Sequence, residues 1–169
     1  MHDKEIDQLL DDMVKSLNNF INLNNRNDPL IIGIHTGGYW IASKIKERMR
    51  NTNPLGELNI AFYRDDFSKI GMHPRVKPSK LPIEIENRHI ILVDDVLHTG
   101  RTIRAAMNEI FDYGRPATIT LVVLVERSGH ELPIKADIVG KTLQLNSFGH
   151  VKLLGPEPLA LEIKQQNDG

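Results

Sequence analysis

At 169 residues, a quarter of them charged, the chain fits one ordinary domain (1–169), large enough to bury a core without covalent staples. Cysteine is absent, which excludes a disulfide framework, a thiolate nucleophile and a Cys-ligated zinc site. A formal net charge of −1 and a pI near 6.7 give no global attraction to nucleic acid. Met1-His2-Asp3-Lys4-Glu5 has neither the basic stretch nor the apolar run of a secretion signal, and no apolar span approaches about 18 residues. The expectation is a cytoplasmic protein with no membrane partner.

The first predicted element is a helix capped by Asp3, with Ile6, Leu9, Leu10, Met13, Leu17, Phe20 and Ile21 on one face. A polar turn at 24–28 leads to an apolar strand at 30–34 and a crossover helix from Tyr39 to about Arg50. Further strands are expected at 58–63, 90–93 and 119–125, with a helix between the last two that ends at Gly114 and Pro116. This alternation predicts an α/β fold, a mostly parallel sheet with helices on both faces. Short strands at 136–140 and 151–154 suit a small hood, about 136–155, over the sheet's C-terminal edge, and 164–169 is a frayed end.

The stretch from Arg64 to about Asn87 lacks periodicity and contains Pro74, Pro78 and Pro82. Arg64, Lys69, Arg75, Lys77 and Lys80 make it the most basic part of the chain. It reads as a flexible lid, about 64–87, closing over a polyanion.

Residues 91–102, Ile-Leu-Val-Asp-Asp-Val-Leu-His-Thr-Gly-Arg-Thr, carry the chemistry. An apolar strand runs into two carboxylates and a small-residue turn, and Ile103, Ala106, Met107, Ile110 and Phe111 then recur at helical spacing. The turn at a strand's C-terminal end, with main-chain N–H groups of Thr99, Gly100, Arg101 and Thr102 at a helix start, suits a phosphate. Asp94 and Asp95 instead suit vicinal hydroxyls, so a ribose 5-phosphate fits across the turn. Earlier in the chain, Gly33-Ile34-His35-Thr36-Gly37-Gly38 has the glycine spacing of a Walker A loop, but Tyr39-Trp40 follow where Lys and Ser/Thr are needed. Gly37 and Gly38 still allow close main-chain approach to an anion, a second phosphate site. His35 either donates to that phosphate or braces the turn. The seven histidines are scattered without a metal-ligand pattern, and no metal site is expected.

The Asp94-to-Thr102 stretch resembles the PRPP-binding motif of type I phosphoribosyltransferases. Tyr63-Arg64-Asp65-Asp66-Phe67-Ser68, Asp112-Tyr113-Gly114-Arg115-Pro116, Val125-Glu126-Arg127 and residues 131–137 together resemble the PyrR family, uracil phosphoribosyltransferases that in some bacteria also regulate pyrimidine operons by binding messenger RNA. The resemblance covers about 30–141. It implies that uracil and PRPP give UMP and pyrophosphate, with Mg²⁺ arriving with PRPP and kept partly hydrated. It places Asp94 and Asp95 at the ribose, Thr99 to Thr102 at the 5-phosphate, and Thr36, Gly37 and Gly38 at the pyrophosphate. It also puts Arg64 in the closing loop and 137–141, with Ile138, Val139 and Lys141, over the base. Asp95, Asp94 and Arg64 are the candidate catalytic residues. Glu126 stands where purine enzymes of related motif place a Lys; it either accepts the uracil N3–H or merely ends a strand. Orotate and purines remain alternative bases.

Family members that bind RNA carry basic groups on the first helix and around 127–141. Here Asp3, Glu5, Asp7, Asp11 and Asp12 make that helix acidic against Lys4 and Lys15, while Arg127, His130, Lys135 and Lys141 keep part of a basic surface. RNA binding is therefore expected to be weak or absent, with an RNA-binding attenuation regulator as the alternative reading. A homo-oligomer, dimer or larger, is expected.

Overall fold

The computed structural model describes residues 1–60, 79–81 and 84–165. In chain order these form α1 (Asp3–Leu23), β1 (Leu30–Ile34), α2 (Gly37–Met49), β2 (Gly56–Leu58), β3 (His89–Leu97), α3 (Arg101–Tyr113), β4 (Thr118–Arg127), β5 (Ile138–Leu143), β6 (His150–Leu154) and β7 (Ala160–Lys164). The first five strands make a parallel sheet in the order β2-β1-β3-β4-β5. Because β1 and β3 are neighbours and Gly33 pairs with Val93, the turn after β1 opens beside the acid pair on β3.

Apolar side chains alternate between the two faces of these buried strands, as the period of two requires. Ile31, Ile91, Val93, Val122 and Leu124 pack with Ile6, Leu10 and Leu17 of α1 and Ile41 and Ile45 of α2. Leu30, Ile32, Leu92, Leu121 and Val123 pack with Ile103, Ala106 and Ile110 of α3. Helices thus cover both faces, as the alternation of elements predicts. No helix among the described residues is long and apolar enough to cross a membrane.

Several boundaries differ from the sequence reading. The strand expected at 58–63 is β2, Gly56–Leu58, and Ala61 to Tyr63 lie outside the described residues. β3 continues four residues past Val93, so Asp94 and Asp95 stand within the strand rather than after it. Asp3 does not cap α1: His2 does, its N–H donating to Glu5 Oε2 at 2.8 Å. Asp3 is drawn away by a long-range bond, its Oδ1 accepting the Leu159 N–H at 3.2 Å.

The hood needs the larger correction. Residues 138–143 are β5, the edge strand of the main sheet, and not part of a cap. Asp137 explains this: its N–H donates to Leu121 O at 2.9 Å and its Oδ2 accepts the Leu121 N–H at 2.9 Å, so the strand is started in register with β4. The antiparallel pair β6–β7 and its connection pack Leu153, Leu161 and Leu159 into the core on the α1–α2 side. Of the expected lid, Arg64, Lys69, Arg75, Lys77 and all three prolines lie outside the described residues. Its last part is not lid at all, since Ile85 is 1% exposed in the α3-side core and Glu86 accepts the Arg115 N–H at 2.8 Å.

Candidate active site

The acid pair is fixed by its own main chain. Asp94 is 5% exposed and its Oδ1 accepts the Asp95 N–H at 2.9 Å; Asp95 Oδ1 accepts the Val96 N–H at 2.8 Å. Such bonds hold each side chain in one rotamer at the C-terminal end of the strand.

The turn after β1 lies directly against this pair. The His35–Thr36 peptide is cis, and Thr36 is the N-cap of α2. A Cβ added at Gly37 would sit 2.1 Å from Asp95 Oδ2, and one at Gly38 would sit 2.7 Å from Val93 O and 2.9 Å from the Asp94 Cα. Only glycine lets the turn approach β3 this closely. The His35 and Tyr39 rings stack, with centroids 4.8 Å apart and planes 10° from parallel. Glu57 Oε2 on β2 lies 3.7 Å from His35 Nε2. Burial first, then the Glu57 charge and its hydrogen bond with the phenol, raise the pKa of Tyr39 above the ordinary tyrosine value.

The turn after β3 reaches α3 through Gly100, whose φ of 94° is left-handed and favours glycine. Thr99 Oγ1 accepts the Arg101 N–H at 3.2 Å, and Val96, His98, Thr99, Gly100, Thr102 and Ile103 line a cleft of about 150 Å³. The first turn of α3 has no acidic residue, so nothing on it cancels the positive end of the helix. The Arg101 side chain turns away from this cleft, its Nε donating to Glu131 Oε2 at 3.0 Å. Thr99 O also accepts the N–H groups of Glu131 and Leu132, at 3.0 and 3.1 Å, which ties segment 131–132 to the turn.

The proposed base residues are not brought together equally. Glu126 pairs in register with Leu97 at the end of β3 and lies 3.6 Å from His130 Nε2. Ile138 is 7% exposed in the core against α1, so only its main chain is available to a base. Val139 and Lys141 pair with Val123 and Val125 on the edge of the sheet. Arg64 lies outside the described residues.

Three features carry little or no sequence signal. Arg127, read as part of a basic surface, is 5% exposed and donates to Ser128 O, Asn146 O and Gly149 O at 3.3, 3.0 and 2.5 Å. Its position at the inward end of β4, visible in strand alternation, was the one hint. His98 packs over Gly129, and burial first, then the Arg127 charge, lower its pKa below the ordinary histidine value, with Glu131 opposing. Glu57 meets His35 only because β1 and β2 pair in a particular register.

The phosphoribosyl transferase domain family matches residues 4–155. "Bifunctional protein PyrR" of Nitrosococcus oceani is 57% identical over 161 residues, covering 94% of this chain and 91% of that protein. The protein of the same name from Pseudomonas syringae pv. tomato is 52% identical over 157 residues, covering 93% and 92%. The structure of the hypoxanthine phosphoribosyltransferase of Trypanosoma cruzi is similar in fold, with a TM-score of 0.67 at 20% identity, covering 88% of this chain and 82% of that one. With its strand-turn-helix acid site and relatives matched along almost their whole length, the chain belongs to the phosphoribosyl transferase domain family and, within it, to the PyrR family.

Proposed function

We propose that the protein is a uracil phosphoribosyltransferase that converts uracil and PRPP to UMP and pyrophosphate. The observation that carries this reading is the contact of Gly37 with Asp95, which sets two anion-accepting turns on either side of a carboxylate pair. A ribose bearing phosphate groups at both ends fits that arrangement. The turn at 99–102 receives the 5-phosphate, the turn at 36–38 receives the pyrophosphate, and Asp94 and Asp95 accept hydrogen bonds from the ribose hydroxyls.

In the reaction the bond from the anomeric carbon to uracil N1 forms as the bond to the pyrophosphate oxygen breaks, and the N1 proton is released. Positive charge develops on the ribose ring, and Asp95 stabilises it from a fixed position. Positioning supplies much of the rest. A Mg²⁺ ion arriving with PRPP, held by the substrate's own oxygens and by water, suits this reading. When bound, that ion would neutralise charge on the departing pyrophosphate. Glu126 accepts the uracil N3–H, with the main chain of Ile138 and Val139 and the Lys141 side chain bordering the base. The part in PRPP use expected of Arg64 falls on a residue outside the described ones.

The test is turnover of PRPP and Mg²⁺ with uracil, orotate, hypoxanthine and guanine, for the natural chain and Asp95→Asn. Nucleotide formation with uracil is expected, with a loss of about 10²-fold or more in the variant at unchanged circular dichroism. Preference for another base, or near-normal turnover by Asp95→Asn, overturns the assignment.

RNA binding is the second reading, and one observation favours it: His130 and Lys135 stand exposed on a single segment. Arg48 also pairs with Asp7 and Asp11 at 2.9 Å each, so α1 is less acidic in space than in sequence. Against it, Arg127 is turned inward and cannot reach phosphate. Weak binding is expected in a titration of a pyrimidine-operon leader at about 150 mM salt. Submicromolar, sequence-selective binding strengthened by UMP would establish the regulatory role instead. Exposed Phe111 and Tyr113 at the end of α3 suit a subunit contact in a dimer or larger oligomer, which sedimentation measures.

A further inference from the structure

We propose that Glu57 is a positioning residue for the pyrophosphate turn, acting through His35 and Tyr39; this rests on the phosphoribosyltransferase reading above. A carboxylate beside a site for a polyanion is unfavourable unless it has a task, because like charge repels the ligand. Glu57 is held firmly enough to have one. Its main chain faces Gly33 of β1 on one side, and on the other its N–H and C=O exchange two bonds with Lys80, both 2.8 Å. From that base its carboxylate reaches His35 Nε2 at 3.7 Å, and its charge, after burial, raises the pKa of the neighbouring Tyr39 hydroxyl.

His35 and Tyr39 bracket the turn, one before Thr36 and one after Gly38, and their rings stack on each other. The His35 N–H donates to Leu58 O at 2.9 Å, so β2 grips this residue by main chain as well as by side chain. One carboxylate thus stands against both residues that bracket the segment that would carry the pyrophosphate.

Trp40, the sole tryptophan, follows Tyr39 directly and provides an optical readout independent of turnover. The experiment titrates inorganic pyrophosphate with Mg²⁺ against Trp40 emission and measures KM and kcat for PRPP and uracil. The natural chain, Glu57→Ala and Glu57→Gln are compared. In Glu57→Ala the pyrophosphate midpoint and the KM for PRPP are expected to rise about tenfold, as when a partner that orients a binding group is lost. The KM for uracil and the kcat at saturating PRPP stay within about twofold, a split that general unfolding would not give. Glu57→Gln keeps the shape and an acceptor for Tyr39 but loses the charge toward His35, and a rise of about threefold is expected. It serves as the test if Glu57→Ala fails to fold. If both variants match the natural chain in pyrophosphate midpoint and KM for PRPP, the inference is wrong while the enzyme assignment stands. If the natural chain neither binds pyrophosphate nor turns over PRPP, the assignment itself fails.

Discussion

Gly37→Ala probes the site without touching a charged group. The added Cβ would lie 2.1 Å from Asp95 Oδ2, 2.7 Å from its Cγ and 3.1 Å from its Cβ, far inside van der Waals contact. Gly37 is the first residue of α2 and is not among the positive-φ glycines, so alanine suits the backbone there. Helix propensity even favours it, by about 1 kcal/mol. The clash is therefore relieved by swinging the short Asp95 side chain off its rotamer, at a cost of about 0.5–1.5 kcal/mol. The two terms nearly cancel, and the melting temperature should move little. Activity should not be spared. Displacing a positioned group by about 1 Å costs on the order of 10²-fold, or about 2.7 kcal/mol of transition-state stabilisation. Steady-state kinetics of UMP formation beside a thermal melt measures both quantities. A variant with natural kcat/KM would show that the contact of Gly37 with Asp95 has no part in catalysis, and a collapsed melt would show that the strain goes into the fold instead.

At Gly100, alanine must adopt the left-handed φ of 94° and meets Ile134 Cγ1 at 3.0 Å; a loss of about 1–2 kcal/mol is expected in denaturant unfolding, with weaker PRPP use. Arg127→Ala removes the donors to three carbonyls at 2.5–3.3 Å and should destabilise by roughly 3 kcal/mol or more, read as a fall in melting temperature. Arg127→Lys should recover little of this, since an ammonium lacks the planar fork that reaches several carbonyls at once.

The elements that follow local rules could be read from the chain alone. β1 and the first half of β3, Ile90 to Val93, are apolar runs that lead into glycine-containing turns and a helical repeat, and period and turn chemistry are properties of short windows. What escaped depends on partners distant in sequence. Asp137 starts β5 by bonding Leu121, sixteen residues away, and turns an expected cap into a sheet strand. Arg48 meets Asp7 and Asp11 across more than thirty residues, so the charge of α1 cannot be judged from α1. Glu57 is an isolated acid in a three-residue strand, and only the register of β1 with β2 places it beside His35.

The proposed function also accounts for turns at 36–38 and 99–102 built mainly of glycine and threonine rather than of lysine. A flexible cation next to Asp94 and Asp95 would pair with them, since an ion pair at about 4 Å near a protein surface is attractive by about 4 kcal/mol before desolvation. It would be neutralised by the acids before a phosphate arrived. Main-chain N–H groups carry positive potential that no side-chain motion can divert, and they can face a phosphate while a carboxylate stands a few ångströms away. Arg101 illustrates the alternative: it is the one cation in the turn at 97–102, and its guanidinium is taken by Glu131 at 3.0 Å. The turn thus contributes its backbone and the positive end of α3. In the proposed reaction Asp94 and Asp95 then serve the ribose hydroxyls and the charge that forms between the two phosphates.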